Sequence, residues 1–287
     1  MKFDKLKYFW NCLCKYPFRA RWNCPSCGGS KSQEVARKKL VTTLRRCHRC
    51  ALLFRTPTTT VRENAGFYQQ MYRQGFDSDV PTPETLHDLL AQGFKGSPKD
   101  YEPYIHVLEA LNVPKGARIF DFGCSWGYGT WQLQAAGYNV SGYEISRPRS
   151  SYARENLGID TFLSLNDIPD HSFDVFFSAH VLEHVPSVAE AVELARKKLR
   201  PQGIFLAFTP NGSKALRNRL PELWNNLWGQ VHPNFLDDCY YLKNFKQPLL
   251  MSSPYEYHQI RQWWESDTRD DRIILDGAEL MAAVRLS

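Results

Sequence analysis

Short apolar runs alternate with amphipathic stretches along the chain from about residue 100 onward. Strands are predicted at residues 118–122, 138–143, 161–163, 173–178 and 204–208, with two more near 249–257 and 278–286. Helices are predicted at residues 101–111, 127–136, 147–157 and 187–199. This alternation predicts an α/β fold with a doubly wound, mostly parallel seven-stranded sheet. Ligands of such sheets bind at the carboxyl ends of the strands, so function is expected in the loops there.

The first 60 residues have a different pattern, in which two pairs of cysteines dominate. Cys24-x2-Cys27 and Cys47-x2-Cys50 are separated by 19 residues, and short strands are predicted at 41–44 and 52–54. Two residues between thiolates let one tight turn direct both sulfur atoms at the same ion, and two such turns complete a closed tetrahedral shell. The four cysteines therefore predict a structural Zn²⁺ in a small N-terminal zinc ribbon.

Disulfide bonds are the alternative for these cysteines. The chain starts without an apolar run of signal-peptide length, which favours the cytosol and disfavours disulfides. No run approaches the ~18 apolar residues that a membrane span needs. We expect His48 to lie at the surface and the other cysteines, Cys12, Cys14, Cys124 and Cys239, to be free thiols.

Charge is distributed unevenly along the chain. Residues 1–60 hold 14 of the 36 Lys and Arg and 2 of the 30 Asp and Glu, a net charge of +12, which leaves −6 for the remainder. Clustered basic residues attract phosphates, so a nucleic acid such as RNA or an anionic surface is a partner to consider, and a solvated basic surface is the other interpretation. Hydrophobic residues at 43% and charged residues at 23% exclude wholesale disorder.

Composition also predicts the domain boundaries. Thr-Pro-Thr-Thr-Thr at 56–60 disfavours helix and ends the first unit. We expect a basic zinc ribbon at 1–60, a linker at 61–100 and the α/β domain at 101–287. Within the linker, the aromatic-rich segment 67–72 is either a lid or a helix that packs on the core.

The loop after the first strand of the α/β domain carries the cofactor signal. Asp121 ends the strand, and Gly123, Gly127 and Gly129 follow in the turn, where glycines let the backbone approach a ligand closely. A GxGxxG fingerprint is missing from this loop, which argues against NAD. Glu144 ends the second strand, 23 residues beyond Asp121, where a carboxylate can accept both ribose hydroxyls of an adenosine.

Four segments in this order resemble class I S-adenosylmethionine-dependent methyltransferases. They read DFGCSWG at 121–127, GYE at 142–144, SLNDIPDHSFDVFFSAHVLEHVP at 164–186 and LRPQGIFLAFTPN at 199–211, and the resemblance covers roughly residues 100–287. A zinc ribbon ahead of such a domain is itself similar to an arrangement in bacterial methyltransferases that modify sugars, lipids or secondary metabolites. The fold that the resemblance implies is Rossmann-like.

The resemblance also implies residue roles. The loop 121–128 would hold the methionine half of S-adenosylmethionine, Glu144 the ribose, and Ser164 and Leu165 the adenine edge. Ser125 stands where the family usually has glycine, and Ser164 where an aspartate is common. The expected cofactor-binding residues are Asp121, Gly123, Cys124, Ser125, Gly127, Tyr128, Glu144, Ile145, Ser164, Leu165 and His180.

Methyl transfer to a hydroxyl needs a group that removes its proton, and histidine is suited to this. His232 follows the fifth strand and is the first choice for this base, with His184 second. We expect residues 180–184, HVLEH, to form a short helix on which His180, Glu183 and His184 converge. This pattern also resembles the metal-binding arrangement of small-RNA 2′-O-methyltransferases, so Glu183, His184 and His232 could hold a second divalent ion. The alternative is that Glu183 and His184 cap and tether the helix.

Two further patterns bear on the acceptor. Ser-Ala-His at 178–180 replaces the Asn/Asp-Pro-Pro-aromatic pattern of base N-methylation, and a cysteine nucleophile for pyrimidine carbon-5 methylation is missing there. Ten aromatic residues between 221 and 264 form either an acceptor site or core. We expect O-methylation of a glycan, lipid-linked sugar or secondary metabolite. RNA ribose 2′-O-methylation and a non-catalytic cofactor-binding scaffold are the alternatives.

Overall fold

The computed structural model describes residues 2–38, 40–60, 63, 80–266 and 274–286. The aromatic segment 67–72 lies outside the described residues, so its two interpretations stay open. The described strands are β1 (Ser32–Lys38), β2 (Thr42–Cys47), β3 (Leu53–Thr56), β4 (Arg118–Phe122), β5 (Asn139–Tyr143), β6 (Thr161–Phe162), β7 (Phe173–Ala179), β8 (Leu199–Pro210), β9 (Asn234–Phe235), β10 (Leu249–Ser252) and β11 (Glu279–Arg285).

The described α-helices occupy most of the remaining chain. They are α1 (Lys2–Lys15), α2 (Pro83–Ala91), α3 (Glu102–Ala110), α4 (Tyr128–Ala135), α5 (Arg147–Leu157), α6 (Val188–Lys198), α7 (Lys214–Arg219), α8 (Pro221–Asn226), α9 (Asp238–Asn244) and α10 (Tyr257–Glu265). Side chains cap several of them: the Ser187 hydroxyl, for example, accepts from the Glu190 amide at the start of α6. No helix in the described part of the chain is both long and apolar enough to span a bilayer.

Seven strands form the large sheet in the order β10-β11-β8-β7-β4-β5-β6. The five strands from β8 to β6 are mutually parallel, and β11 runs antiparallel to both β8 and β10. This confirms the expected Rossmann-like, mostly parallel sheet. The direction of winding reverses between β4 and β7, so a crevice for a ligand lies at their carboxyl ends.

Both faces of the central strands of the large sheet are buried, which explains why β4 and β7 are apolar runs rather than alternating ones. On β4 and β7, Phe120 and Phe176 pack into the core on one side of the sheet. Ile119, Val175 and Phe177 pack into the core on the other side. Successive side chains of a strand point to opposite faces, so neighbouring residues enter different cores.

A second sheet joins the cysteine-rich segment to the large domain. Its strand order is β1-β2-β3-β9, and β9 comes from the insertion that follows β8. Leu53 pairs with Phe235 and Phe54 with Asn234 in antiparallel register. The sequence pattern predicted neither β1 nor β9, since β1 is largely polar and β9 has two residues. The N-terminal segment therefore shares hydrogen bonds with residues 234–235, and the domain boundary near 60 stays a prediction.

Candidate active site

The loop after β4 has the backbone conformation that its glycines permit. Gly123 and Gly127 both have φ of +84°. A Cβ on Gly123 would lie 2.5 Å from a Val181 methyl carbon, so only glycine fits against the chain that follows β7. Ser125, the departure from the family pattern, also has a positive φ, at 55°. Glycine is favoured at this position because the left-handed region carries a steric cost for serine.

Glu144 lies beside this loop, as the sequence led us to expect. Its carboxylate is 4% exposed and accepts hydrogen bonds from the amides of Ser125 at 3.0 Å and Ser146 at 2.7 Å. Burial raises the pKa of Glu144, and these amides and the Arg149 guanidinium oppose the shift. A carboxylate offers about four lone-pair positions, so two remain for ribose hydroxyls.

Asp121 is buried at the end of β4, where it accepts a hydrogen bond of 2.7 Å from the Thr130 hydroxyl. Burial raises the pKa of Asp121 to about 7, although the bond from Thr130 lowers it. Cys124 is buried as well, and a Cβ on Gly142 of β5 would lie 2.7 Å from its sulfur. Tyr128 begins α4 beside the ring of Tyr101, with the ring centroids 5.5 Å apart.

The expected adenine edge lies after β5 and β6. Ile145 is 55% exposed directly after Glu144. The hydroxyl of Ser164 accepts from the amide of Asn166, and Leu165 packs partly buried against the core. β5 and β6 are parallel neighbours in the sheet, so these residues lie at the same carboxyl edge as Glu144.

Residues 180–187 form a turn, so the expected short helix at 180–184 is wrong. His180 has a positive φ of 56°, which interrupts any helix at its first residue. Its amide donates to the Phe208 carbonyl at 2.8 Å, which continues the pairing of β7 with β8 past the end of the strand. The turn nevertheless brings the three polar side chains together. Glu183 Oε1 lies 3.4 Å from His180 Nδ1 and 3.9 Å from His184 Nε2.

His180 also belongs to a network that the sequence did not reveal. Its Nε2 pairs with the carboxylate of Glu279, which opens β11. Glu279 accepts further hydrogen bonds from the hydroxyls of Tyr104, at 2.7 Å, and Tyr255. Burial lowers the pKa of His180, but its contacts with Glu183 and Glu279 outweigh this and raise it to about 10. Nearly 100 residues separate His180 from Glu279, and no short motif signals such a pair.

Glu183, His184 and His232 form the polar centre of the site. Glu183 is 1% exposed, and neither of its carboxylate oxygens has a hydrogen-bond partner among the described residues. The ring centroids of His184 and His232 lie 4.7 Å apart. One possible ligand atom from each of the three residues lies within 4.8 Å of those of the other two. The structure thus brings together the three residues expected to carry chemistry.

Backbone carbonyls fix the tautomer of both histidines. His184 Nδ1 lies 2.9 Å from the Val231 carbonyl and His232 Nδ1 lies 2.7 Å from the Leu227 carbonyl. A carbonyl oxygen only accepts, so each Nδ1 carries the proton and each Nε2 is the nitrogen that can bind a cation or accept a proton. Burial lowers the pKa of His184, so this imidazole is neutral at pH 7.

Asn234 of β9 forms hydrogen bonds with the turn that carries Glu183 and His184. Its side-chain amide, 1% exposed, donates to the carbonyls of Leu182 at 3.2 Å and Val185 at 2.7 Å. Its backbone amide donates to the Glu183 carbonyl at 3.2 Å. Asn234 therefore fastens the turn that carries Glu183 and His184 to the segment that carries His232.

The four cysteines of the N-terminal segment cluster, as expected. Cys24 Sγ lies 3.6 Å from Cys50 Sγ, and Cys27 Sγ lies 3.5 Å from Cys47 Sγ. Zn–S bonds of ~2.3 Å in a tetrahedron place sulfurs about 3.8 Å apart, so the cluster is consistent with a zinc ribbon. The remaining cysteines, Cys12, Cys14, Cys124 and Cys239, are free.

The aromatic residues of the insertion mostly build core, which decides against the acceptor-site interpretation for them. Trp224, Trp228 and Phe235 pack with Leu44 and Leu53 of the second sheet. Tyr240, Tyr241, Phe245, Tyr255 and Trp264 are buried in the two cores of the large sheet. Trp126 of the loop after β4 is also buried, where it packs with Leu86 and Phe94.

The fold and the loop after β4 define the class of this domain, and comparison with known proteins agrees. The family described as "Methyltransferase domain" matches residues 120–207. The chain carries a class I S-adenosylmethionine-dependent methyltransferase domain.

Curated relatives resemble this domain over part of their length. Cyclopropane-fatty-acyl-phospholipid synthase of Escherichia coli is 33% identical over 135 residues, which are 45% of this chain and 34% of that protein. Ubiquinone biosynthesis O-methyltransferase of Nitrosococcus oceani is 35% identical over 105 residues, 33% of this chain and 44% of that protein. The chain thus spans less than half of the length of these two relatives.

Among solved structures, a TehB-like S-adenosylmethionine-dependent methyltransferase from Corynebacterium glutamicum is similar to this chain. The two are 15% identical with a TM-score of 0.42, over 78% of this chain and 99% of that one.

Proposed function

We propose that this chain is a cytosolic S-adenosylmethionine-dependent O-methyltransferase whose acceptor is a glycan, a lipid-linked sugar or a secondary metabolite. The single observation that carries the proposal is the cluster of Glu183, His184 and His232 next to the cofactor loop. Val181 packs on Gly123, so the histidine turn begins at the loop where the methionine half of the cofactor would bind. Names of two relatives, ubiquinone biosynthesis and malonyl-[acyl-carrier protein] O-methyltransferases, support transfer to oxygen.

In this proposal the residues of the loop 121–128, Glu144, Ile145, Ser164, Leu165 and His180 hold the cofactor. The sulfonium methyl is already activated, so the protein has to position the acceptor oxygen and remove its proton. His232 Nε2 takes that proton as general base. Its Nδ1–H bond to the Leu227 carbonyl holds the ring in the required tautomer.

A second candidate mechanism uses a divalent ion bound by Glu183, His184 and His232. The buried carboxylate of Glu183 favours it, because this carboxylate lies 3.4 Å from His180 Nδ1 but makes no hydrogen bond to the described residues, which leaves its lone pairs available to a cation. Contact with the neighbouring histidines keeps the pKa of Glu183 below its ordinary value, so the carboxylate is ionised at neutral pH. One carboxylate oxygen and two imidazole nitrogens suit ions such as Zn²⁺, Mn²⁺ or Fe²⁺, which would lower the pKa of a bound hydroxyl. Independently of the mechanism, we propose that Cys24, Cys27, Cys47 and Cys50 bind a structural Zn²⁺.

Methyl transfer from labelled S-adenosylmethionine into cell-extract fractions tests the proposal. Glycan, lipid, small-molecule and RNA fractions are assayed separately, and we expect label in one of the first three. His232→Ala is expected to lower turnover by about 10²- to 10⁴-fold with cofactor affinity unchanged. His258→Ala, at an exposed histidine, is the matched control. Full activity of His232→Ala would remove this residue from the mechanism.

A chelator separates the two mechanisms. Activity that survives brief chelation supports the general base, whereas activity that disappears and returns with added Mn²⁺ or Zn²⁺ supports the ion. Zinc content measured after chelation shows whether the ribbon has kept its metal. Label confined to RNA, with a steep salt dependence of RNA binding, would support ribose methylation instead. No label in any fraction, despite cofactor binding, would support a scaffold.

A further inference from the structure

Helix α1 has two faces with different surroundings. One face packs on the second sheet: the Tyr8 hydroxyl accepts from the guanidinium of Arg55 at 2.8 Å and from the Thr42 hydroxyl. Cys12, one turn further on, is 2% exposed. Tyr8 and Cys12 are four residues apart and therefore lie on the same side of the helix.

The opposite face of α1 is apolar and exposed. Trp10 is 60% exposed and Leu13, three residues later, is 41% exposed. Helical spacing of 100° per residue places both about half a turn away from Tyr8. Phe18, directly after the helix, is 62% exposed. Three large apolar side chains therefore project from one short stretch of chain, and the described residues leave most or about half of each of them uncovered.

The segment that carries this apolar face is basic in sequence. Residues 1–22 contain six Lys or Arg and one Asp, a net charge of +5, within a segment 1–60 that carries +12. Lys15 and Arg21 pair with Glu63, which leaves four cations and one Asp in this segment. An amphipathic helix that combines exposed Trp and Leu with lysines is typical of segments that lie in the interface of an anionic bilayer. There the apolar side chains leave water while the cations face lipid phosphates.

We propose that the outward face of α1, with Trp10, Leu13 and Phe18, docks onto an anionic lipid bilayer. The charge decides between candidate occupants. A second copy of this chain would bring another basic head against the first, and like charges repel. RNA would match the charge, but contacts with phosphates and bases would not account for the exposed aliphatic side chain of Leu13. An anionic bilayer matches both the charge and the apolar face.

Docking through α1 would also orient the candidate active site. Arg55, which holds Tyr8, donates its backbone amide to the Pro233 carbonyl at 2.8 Å, and Pro233 follows His232 directly. The outward face of α1 is thus linked through one strand residue to the segment that carries His232. This geometric link does not depend on the proposed methyl transfer.

Vesicle co-sedimentation of the full chain, without cofactor or acceptor, tests the proposal. The probes are phosphatidylcholine vesicles with and without about 30% phosphatidylglycerol. We expect binding to the anionic vesicles at least roughly tenfold stronger than to the neutral ones. The double variant Trp10→Glu/Leu13→Glu should lose at least roughly tenfold in that binding. Trp10→Leu, which keeps the apolar character, should retain most of it.

Leu242→Glu is the matched control, because Leu242 is 60% exposed on α9 and should not affect binding. Thermal unfolding of each variant shows that the fold is kept, which is expected because both substituted side chains face water. Equal vesicle binding by the double variant and the parent would overturn the proposal. So would the absence of binding to anionic vesicles, or a parent dimer that Trp10→Glu/Leu13→Glu converts to a monomer.

Discussion

Replacing Asn234 with alanine is expected to loosen the contact between the two halves of the candidate catalytic centre. The side-chain amide of Asn234 is the donor for the Leu182 and Val185 carbonyls, on either side of Glu183 and His184. The backbone of residue 234 stays in place through its pairing with Phe54. Without the side-chain amide, the turn keeps the bond from the residue 234 backbone amide to the Glu183 carbonyl and the contact of His184 Nδ1 with the Val231 carbonyl. The Leu182 and Val185 carbonyls, however, lose their donor, so the turn is held less firmly against the segment of His232.

The structure sets the size of this effect. The Leu182 bond is buried and the Val185 bond partly so, and leaving a buried carbonyl without a donor costs about 1–3 kcal/mol. Asn234→Ala should therefore destabilise the fold by about 2–4 kcal/mol. For a domain of this size that corresponds to a decrease in melting temperature of roughly 4–16 °C. Misplacement of the reacting groups by about 1 Å should lower turnover by about 10²-fold.

Three measurements test this prediction: thermal unfolding, cofactor affinity by calorimetry, and turnover with the labelled fraction. Asn211→Ala is the control, because the Asn211 amide also donates to two carbonyls, those of Leu275 at 2.9 Å and Gly277 at 2.7 Å. None of the hydrogen bonds of Asn211 goes to the turn at 182–185, so we expect a comparable loss of stability with a much smaller loss of turnover. Asn234→Ala should change kcat, with cofactor affinity unchanged.

Two results would refute the reasoning on Asn234. If Asn234→Ala kept full turnover at a temperature where it is folded, the turn would not need this attachment. If Asn211→Ala lost turnover to the same extent, the loss would reflect stability alone and Asn234 would have no positioning role.

Three further outcomes are expected. Glu144→Ala should weaken cofactor binding by at least roughly tenfold, because charge-assisted hydrogen bonds are worth about 1.5–3 kcal/mol each. Calorimetry compares the cofactor affinity of this variant with that of Glu155→Ala, a control at an exposed glutamate. Equal affinities of the two variants would remove Glu144 from the ribose site. Elemental analysis should find one zinc per chain. The Cys47→Ser variant should lose this zinc and melt at a lower temperature, whereas the Cys239→Ser control should keep it. Protein that is purified without chelator and holds no zinc would contradict this prediction. Burial raises the pKa of Asp121 to about 7, so its stabilising contribution is complete below about pH 4 and lost as the pH rises through 7; Asp121→Asn should flatten that part of the profile of melting temperature against pH.

The sequence by itself determined most of the α/β domain. β4 was predicted at its observed bounds and β7 within one residue, because strands buried on both faces are continuous apolar runs. The partly exposed strands β5 and β6 were also predicted within one residue. The cysteine pairs were equally informative, since two residues between thiolates constrain one turn. Local patterns of this kind can be read without knowing the rest of the fold.

The turn at 180–187 was mispredicted for a physical reason. The spacing of His180 and His184 fits a helix, but the His180 amide bonds to the Phe208 carbonyl of a neighbouring strand instead. Tertiary pairing therefore overrode the local pattern. The insertion aromatics were open to two interpretations because a sequence of aromatic residues does not reveal whether a second sheet will cover them.

Only the tertiary structure decided which distant residues meet. The sequence named His184 and His232, but they meet because β9 holds the segment of His232 against the turn at 180–187. Asn234 of β9 pairs with Phe54, some 180 residues earlier. Glu279 and the outward face of α1 carried no recognisable motif. A local pattern encodes the conformation of a segment, whereas contacts between segments depend on how all the cores pack, which no short stretch of sequence contains.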